Sequence, residues 1–131
     1  AMAADSLIIC AGKRVAYQPK VVRLDDGRIA GWAGVASQAA KIIEWLNSPE
    51  GDKPELRDDT EVLVLNLDGS VAQIEQDLML LTYTPPCAIG SGGGLALGAM
   101  LAGKSPRKAV EIAAERDPQT GGKITVLSLN A

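Results

Sequence analysis

The sequence predicts an α+β fold. Short alternating apolar runs fall into an early and a late batch, helical periodicity lies between them, and a proline-capped helix precedes the last apolar run. Ser6–Cys10 and Lys20–Leu24 read as strands. Asp25-Asp26-Gly27 turns the chain into a third strand, Arg28–Ala33, so the second and third form a hairpin that Gly34 ends. Residues 36–46 place Ala36, Ala39, Ala40, Ile43 and Leu46 at helical spacing. Asn47-Ser48-Pro49-Glu50-Gly51 stops that helix, and the charged stretch to Asp59 reads as a solvated loop. Val62–Leu67, the turn Asp68-Gly69 and Ser70–Ile74 give the clearest hairpin, and Leu78–Thr82 adds a short strand. Pro85-Pro86 precedes a strand over Cys87–Ile89. Leu95–Ala102 is a small-faced helix. Ser105-Pro106 is a cap followed by a first-turn proline, which opens a helix over Arg107–Arg116, and Lys123–Leu129 closes as a strand.

Composition narrows the chemistry. The 131 residues fit one domain with a sizeable core. Hydrophobic residues make up 47% but aromatics only 3%, with no Phe, so the core is built from Val, Ile, Leu and Ala. A net charge of −3 and the lack of stacking aromatics argue against a nucleic-acid surface. There is no histidine, which excludes Ser-His-Asp and Cys-His catalysis and nearly every familiar transition-metal site. Cys10 and Cys87 are far apart with no CxxC spacing, and read as free thiols in a reducing compartment. No apolar run reaches membrane-spanning length and no leader is visible, so a cytoplasmic location is expected, without a membrane partner. Neither a metal nor a cofactor is expected.

Two glycine-rich corners stand out: Cys87-Ala88-Ile89-Gly90-Ser91-Gly92-Gly93-Gly94 and Arg116-Asp117-Pro118-Gln119-Thr120-Gly121-Gly122. Gly98-Ala99-Met100-Leu101-Ala102-Gly103-Lys104-Ser105 formally matches the phosphate-loop pattern. Its Ala-Met-Leu-Ala interior favours helix over an open anion nest, however, and too little chain follows for further strand–helix units. The turn at Gly90 lacks the third glycine of a dinucleotide fingerprint, where Leu95 stands. Spacing alone leaves two readings of that turn, a tight strand-to-helix connection or the wall of a site.

The order of the motifs resembles the proteasome β-subunit superfamily, which includes the bacterial ATP-dependent heat-shock peptidase. Ala3-Ala4-Asp5-Ser6 resembles the acid ending the first hairpin of that family, and Lys20-Val21-Val22-Arg23-Leu24 its lysine strand. Ala30-Gly31-Trp32-Ala33-Gly34 resembles the oxyanion strand. Ala88-Ile89-Gly90-Ser91-Gly92-Gly93 matches the glycine-serine turn, and Arg116–Gly122 resembles the late loop, with Thr120 in place of a serine. The resemblance implies a layered N-terminal-nucleophile (Ntn) hydrolase fold, with two antiparallel sheets and helices packed outside. It also implies peptide hydrolysis by an N-terminal threonine whose α-amine is the base, a mechanism that needs no histidine. On that basis Lys20 favours the alkoxide and Asp5 holds Lys20. The Gly34 N–H donates to an oxyanion, and Ser91, Asp117 and Thr120 surround the terminal amine.

Two departures are expected to matter. The family nucleophile precedes the acid by a strand, a turn and a second strand, whereas Asp5 stands almost at the start and neither Ala1 nor Met2 carries a nucleophile. The fold should therefore lack its first strand or hairpin, and this chain should not cut peptides by that route. The alternative is a non-catalytic binding or assembly protein that keeps the fold. Second, one helix and a loop fill the interval where the family has two long helices. Leu7 and Ile9 also replace polar family residues. Expected partners are a second copy of the chain, drawn by an open strand edge near residues 6–10, a peptide or protein substrate if the chain is active, and an ATPase unfoldase.

Overall fold

The structure, a computed structural model, describes residues 1–57, 59–74 and 80–129. Its largest unit is a five-stranded antiparallel sheet in the order β4 (Val21–Arg23), β5 (Ile29–Ala33), β6 (Glu61–Leu65), β7 (Val71–Ile74), β8 (Leu80–Tyr83). Both predicted hairpins lie in it. The Leu24 N–H donates to Arg28 O at 2.7 Å across the first turn, and the Asp68 carboxylate accepts the Ser70 N–H at 2.9 Å in the second. Of the strand read at Leu78–Thr82, residues 78 and 79 lie outside the described residues.

Strand alternation explains how this sheet is buried on both faces. Along β6, Val62 and Val64 join the core beneath α1 (Ala36–Asn47), while Leu63 and Leu65 join a second core on the opposite face. The helix contributes Ala39, Ile42 and Leu46. Ala36 and Ile43 pack against the same core as predicted, Ile42 is added to the stripe, and Ala40 faces solvent. The second core is closed by Met2, Ala4 and Leu127 from a small sheet of β1 (Met2–Ala4) paired antiparallel with β9 (Thr125–Leu127). Helices α2 (Gly93–Leu101) and α3 (Pro106–Arg116) pack together through Ala96, Ala109 and Ala113, and α3 contacts β1 and β9. The layers therefore run α1, five-stranded sheet, small sheet, α2–α3.

Several expectations are corrected. Residues 6–10 do not edge a larger sheet: β2 (Leu7–Cys10) pairs with β3 (Lys13–Tyr17) in a two-stranded hairpin of its own. Neither β1 nor β3 was foreseen. Cys87–Ile89 forms no strand; Cys87 and Ile89 instead pack against the second core, and Ala88 against the α2–α3 cluster. The Gly98–Ser105 match to the phosphate-loop pattern, by contrast, is half helix as its Ala-Met-Leu-Ala interior predicts. It is then closed by Gly103 at φ 96°, with the Lys104 N–H donating to Ala99 O at 3.0 Å, so no anion loop forms. Ser105 caps α3 as read, accepting the Lys108 N–H at 3.2 Å, with Pro106 in the first turn. Among the described residues no helix is long and apolar enough to cross a membrane.

Candidate active site

The site is built where four connections meet. Asp5 follows β1 and Lys20 precedes β4, and the Lys20 ammonium lies 2.8 Å from Asp5 Oδ1, both side chains being 12% exposed. The second oxygen, Oδ2, accepts the Gly121 N–H at 2.9 Å. One carboxylate thus fixes the lysine and the late glycine loop together. Lys20 also stands 6.0 Å from the centroid of the buried Trp32 ring, close enough for a cation–π attraction.

The second cluster centres on Asp117, the residue that ends α3. Its Oδ2 accepts the Ser91 hydroxyl at 2.5 Å and the Thr120 hydroxyl at 2.6 Å, while Oδ1 accepts the Gln119 N–H at 3.1 Å. Desolvation pushes the Asp117 carboxyl upward. The Ser91 and Thr120 hydroxyls, the Gln119 amide and the Lys20 charge outweigh it and hold the group below its ordinary value. A side chain at Gly92 would not fit here. A Cβ there would stand 2.8 Å from Thr120 Oγ1 and 3.1 Å from the Ala113 Cβ.

Asp5, Lys20, Ser91 and Thr120 all line one cavity of about 720 Å³. Its other walls are apolar, with Leu63, Leu65 and Val71 of the five-stranded sheet on one side and Ala96, Met100 and Ala109 of α2 and α3 on the other. β1 runs along it with one strand edge paired to β9.

No family model matches the sequence, and no curated protein matches it. Solved structures do. The chain is 22% identical to Thiobacillus denitrificans BPH, with a TM-score of 0.70 over 94% of this chain and 88% of that one. The same protein in complex with epoxomicin matches over the same shares at 22% identity and a TM-score of 0.73. HslV from Trypanosoma brucei is 21% identical, with a TM-score of 0.70, again over 94% and 88% of the two chains. The fold is that of the proteasome-like Ntn hydrolases.

Within this Ntn-type fold, five of the six predicted site residues come together: Asp5 with Lys20, and Ser91 with Asp117 and Thr120. Gly34 does not line the cavity, although its neighbour Ala33 does. It occupies the connection from β5 to α1 at φ 102°, where a Cβ would lie 1.8 Å from Asp59 O, so only glycine closes that turn. The following amide, Val35 N–H, donates to Thr60 Oγ1 at 3.3 Å. Ser6 and Cys10 stand apart from the cavity lining, Ser6 buried and Cys10 exposed on β2.

Sequence reasoning missed three contributors. Glu61 at the head of β6 accepts the Gly90 N–H at 3.3 Å and the Gln73 amide at 3.4 Å, tying the Ser91 turn to the large sheet. Trp32 and the Gly121 amide support Lys20 and Asp5. The only sequence sign of Glu61 is a single carboxylate opening the apolar run Glu61–Leu65. Among the described residues no group of three or more His, Cys, Asp or Glu is placed to hold a metal ion.

Proposed function

We propose that this chain carries the framework of a proteasome-like threonine-type peptidase site without its nucleophile, so that residues 1–131 alone do not hydrolyse peptides. The observation that carries the proposal is the arrangement of Asp5–Lys20 and Ser91–Thr120 around one cavity, while both hydroxyls among these residues are committed to Asp117. Lys20 is suited to stabilise a neighbouring alkoxide by its charge, with Asp5 holding it in place. The ionised Asp117 and its two hydroxyls are suited to hold an α-ammonium and relay its proton. The amide following β5, at Gly34, is the proposed oxyanion donor. The apolar walls would receive an extended segment bearing the nucleophile, whose backbone would pair with β1.

The test compares two chains for turnover of fluorogenic peptides and for binding of epoxomicin, which BPH binds. Residues 1–131 should show neither. The same chain, extended in front of Met2 by a strand-and-turn segment led by threonine, should gain both. Turnover by residues 1–131 would overturn the proposal. A folded but inert extended chain would favour a non-catalytic assembly protein that keeps the fold.

A further inference from the structure

The cavity has two differently charged ends with an apolar passage between them. α2 starts just after Ser91 and α3 ends at Asp117, so both helices have one end at the Asp117 cluster. The connection at their other end carries Lys104, which also lines the cavity and joins no ion pair among the described residues. The nine residues of α2 rise about 1.5 Å each, which sets the two ends about 13 Å apart.

The Ser91 and Thr120 hydroxyls give their protons to Asp117 Oδ2, so toward the cavity each offers only lone pairs. A group that donates to both, with a carboxylate charge behind them, is an ammonium. Lys20, the cation on this side, is neutralised by Asp5 at 2.8 Å. Arg14 and Arg116 stand beside the same loop, Arg14 donating to Pro118 O at 3.4 Å, but neither lines the cavity. Glu61 is bound to the Gly90 and Gln73 amides and does not line it either. Lys104 at the far end suits a carboxylate. Between the ends, Ala1, Met2, Ala3 and Ala4 line the cavity. One edge of β1 pairs with β9, and the other has no strand partner among the described residues. An extended chain advances about 3.3 Å per residue, so about four residues span the passage.

We infer that the cavity binds a short apolar peptide of about four residues by its two free termini. The α-ammonium donates to Ser91 and Thr120, the terminal carboxylate meets Lys104, and the backbone pairs with the open edge of β1. Because β1 leads into Asp5, it runs toward the ammonium end, and the peptide lies antiparallel to it. Leu63, Ala96 and Ala109 among the walls receive small aliphatic side chains. The ligand is a separate molecule that is held and not cut. This inference shares with the peptidase reading only the Asp117 cluster as the seat of an ammonium.

Calorimetric titration of residues 1–131 with the tetrapeptide Ala-Val-Ala-Val tests it. The peptide with free termini should bind saturably. N-acetylation should weaken it about tenfold or more through loss of a charge-assisted contact. C-terminal amidation should weaken it about threefold, since Lys104 is exposed. Hexylamine, an ammonium on an apolar tail without peptide backbone or carboxylate, should bind far more weakly than the tetrapeptide. These comparisons use no variant. Lys104→Met, folded by circular dichroism, should bind the free and amidated peptides alike. No saturable binding at millimolar peptide overturns the inference. So does equal affinity for the acetylated peptide or for hexylamine, or a Lys104→Met chain that still prefers the free carboxylate. Binding is read here without turnover, so a chain that binds no tetrapeptide and an extended chain that cuts no substrate are separate failures.

Discussion

Asp5 sets the geometry of the site because one carboxylate serves two partners, Lys20 and the Gly121 amide. Asp5→Ala leaves a largely covered ammonium and an amide without their acceptor, and should cost about 1–3 kcal/mol in urea unfolding. Asp5→Asn keeps an acceptor for Gly121 and should lose less, so the ranking of the two separates the amide contact from the ion pair. Asp117 gives a pH signature. Its folded-state value lies below the ordinary one, so its contribution is fully present above the ordinary carboxylate value near pH 4. That contribution disappears as pH falls through the lower folded-state value. Asp117→Asn should therefore lower the melting temperature at neutral pH and flatten part of the decline below about pH 4, as thermal melts across that range will show. These residues were legible in the sequence through their order along the chain, since each alone has a commonplace reading. Glu61 was not, because its partner Gly90 is 29 residues away and no local pattern joins them.

At the scale of elements, the turn before α2 and the helix itself make opposite demands on glycine. Gly92→Ala drives a methyl into Thr120 Oγ1 and the Ala113 Cβ, displacing one of the two hydroxyls bound to Asp117. It should destabilise by about 1–3 kcal/mol. Gly98→Ala, in the middle of α2 with nothing within 4 Å of the new methyl, should stabilise by about 0.5–1 kcal/mol. Chemical unfolding of the two variants beside the parent checks both signs. Hairpins with Asp-Gly turns and the serine-proline cap were readable because local chemistry dictates them. β1 and β3 were not, since Met-Ala-Ala has little strand character and owes its conformation to the distant β9, while Lys13-Arg14-Val15-Ala16-Tyr17 opens on two adjacent charges that break any apolar alternation. The Cys87–Ile89 run shows the reverse error. Apolar character reported its burial correctly but could not report whether its backbone joins a sheet.

Across the whole molecule, the layered arrangement followed from the distribution of strands and helices, whereas the division of the described strands into three sheets did not. Alternation within β6 shows that both faces of a strand are buried, but not what covers each. The small sheet that covers one face is made from residues near the two ends of the described chain, pairing Met2 with Leu127 and Ala4 with Thr125. That pairing bears on synthesis. A ribosome releases β4 through β7, which need only near neighbours, long before it releases β9, so the broad sheet can form while β1 still waits for its partner. The Asp5 clasp on Gly121, closing across 116 residues, belongs to the last step. The nascent chain thus carries the floor of its cavity well before the wall, and the Asp117 loop joins Asp5 and Lys20 only after residues 117–121 have been released.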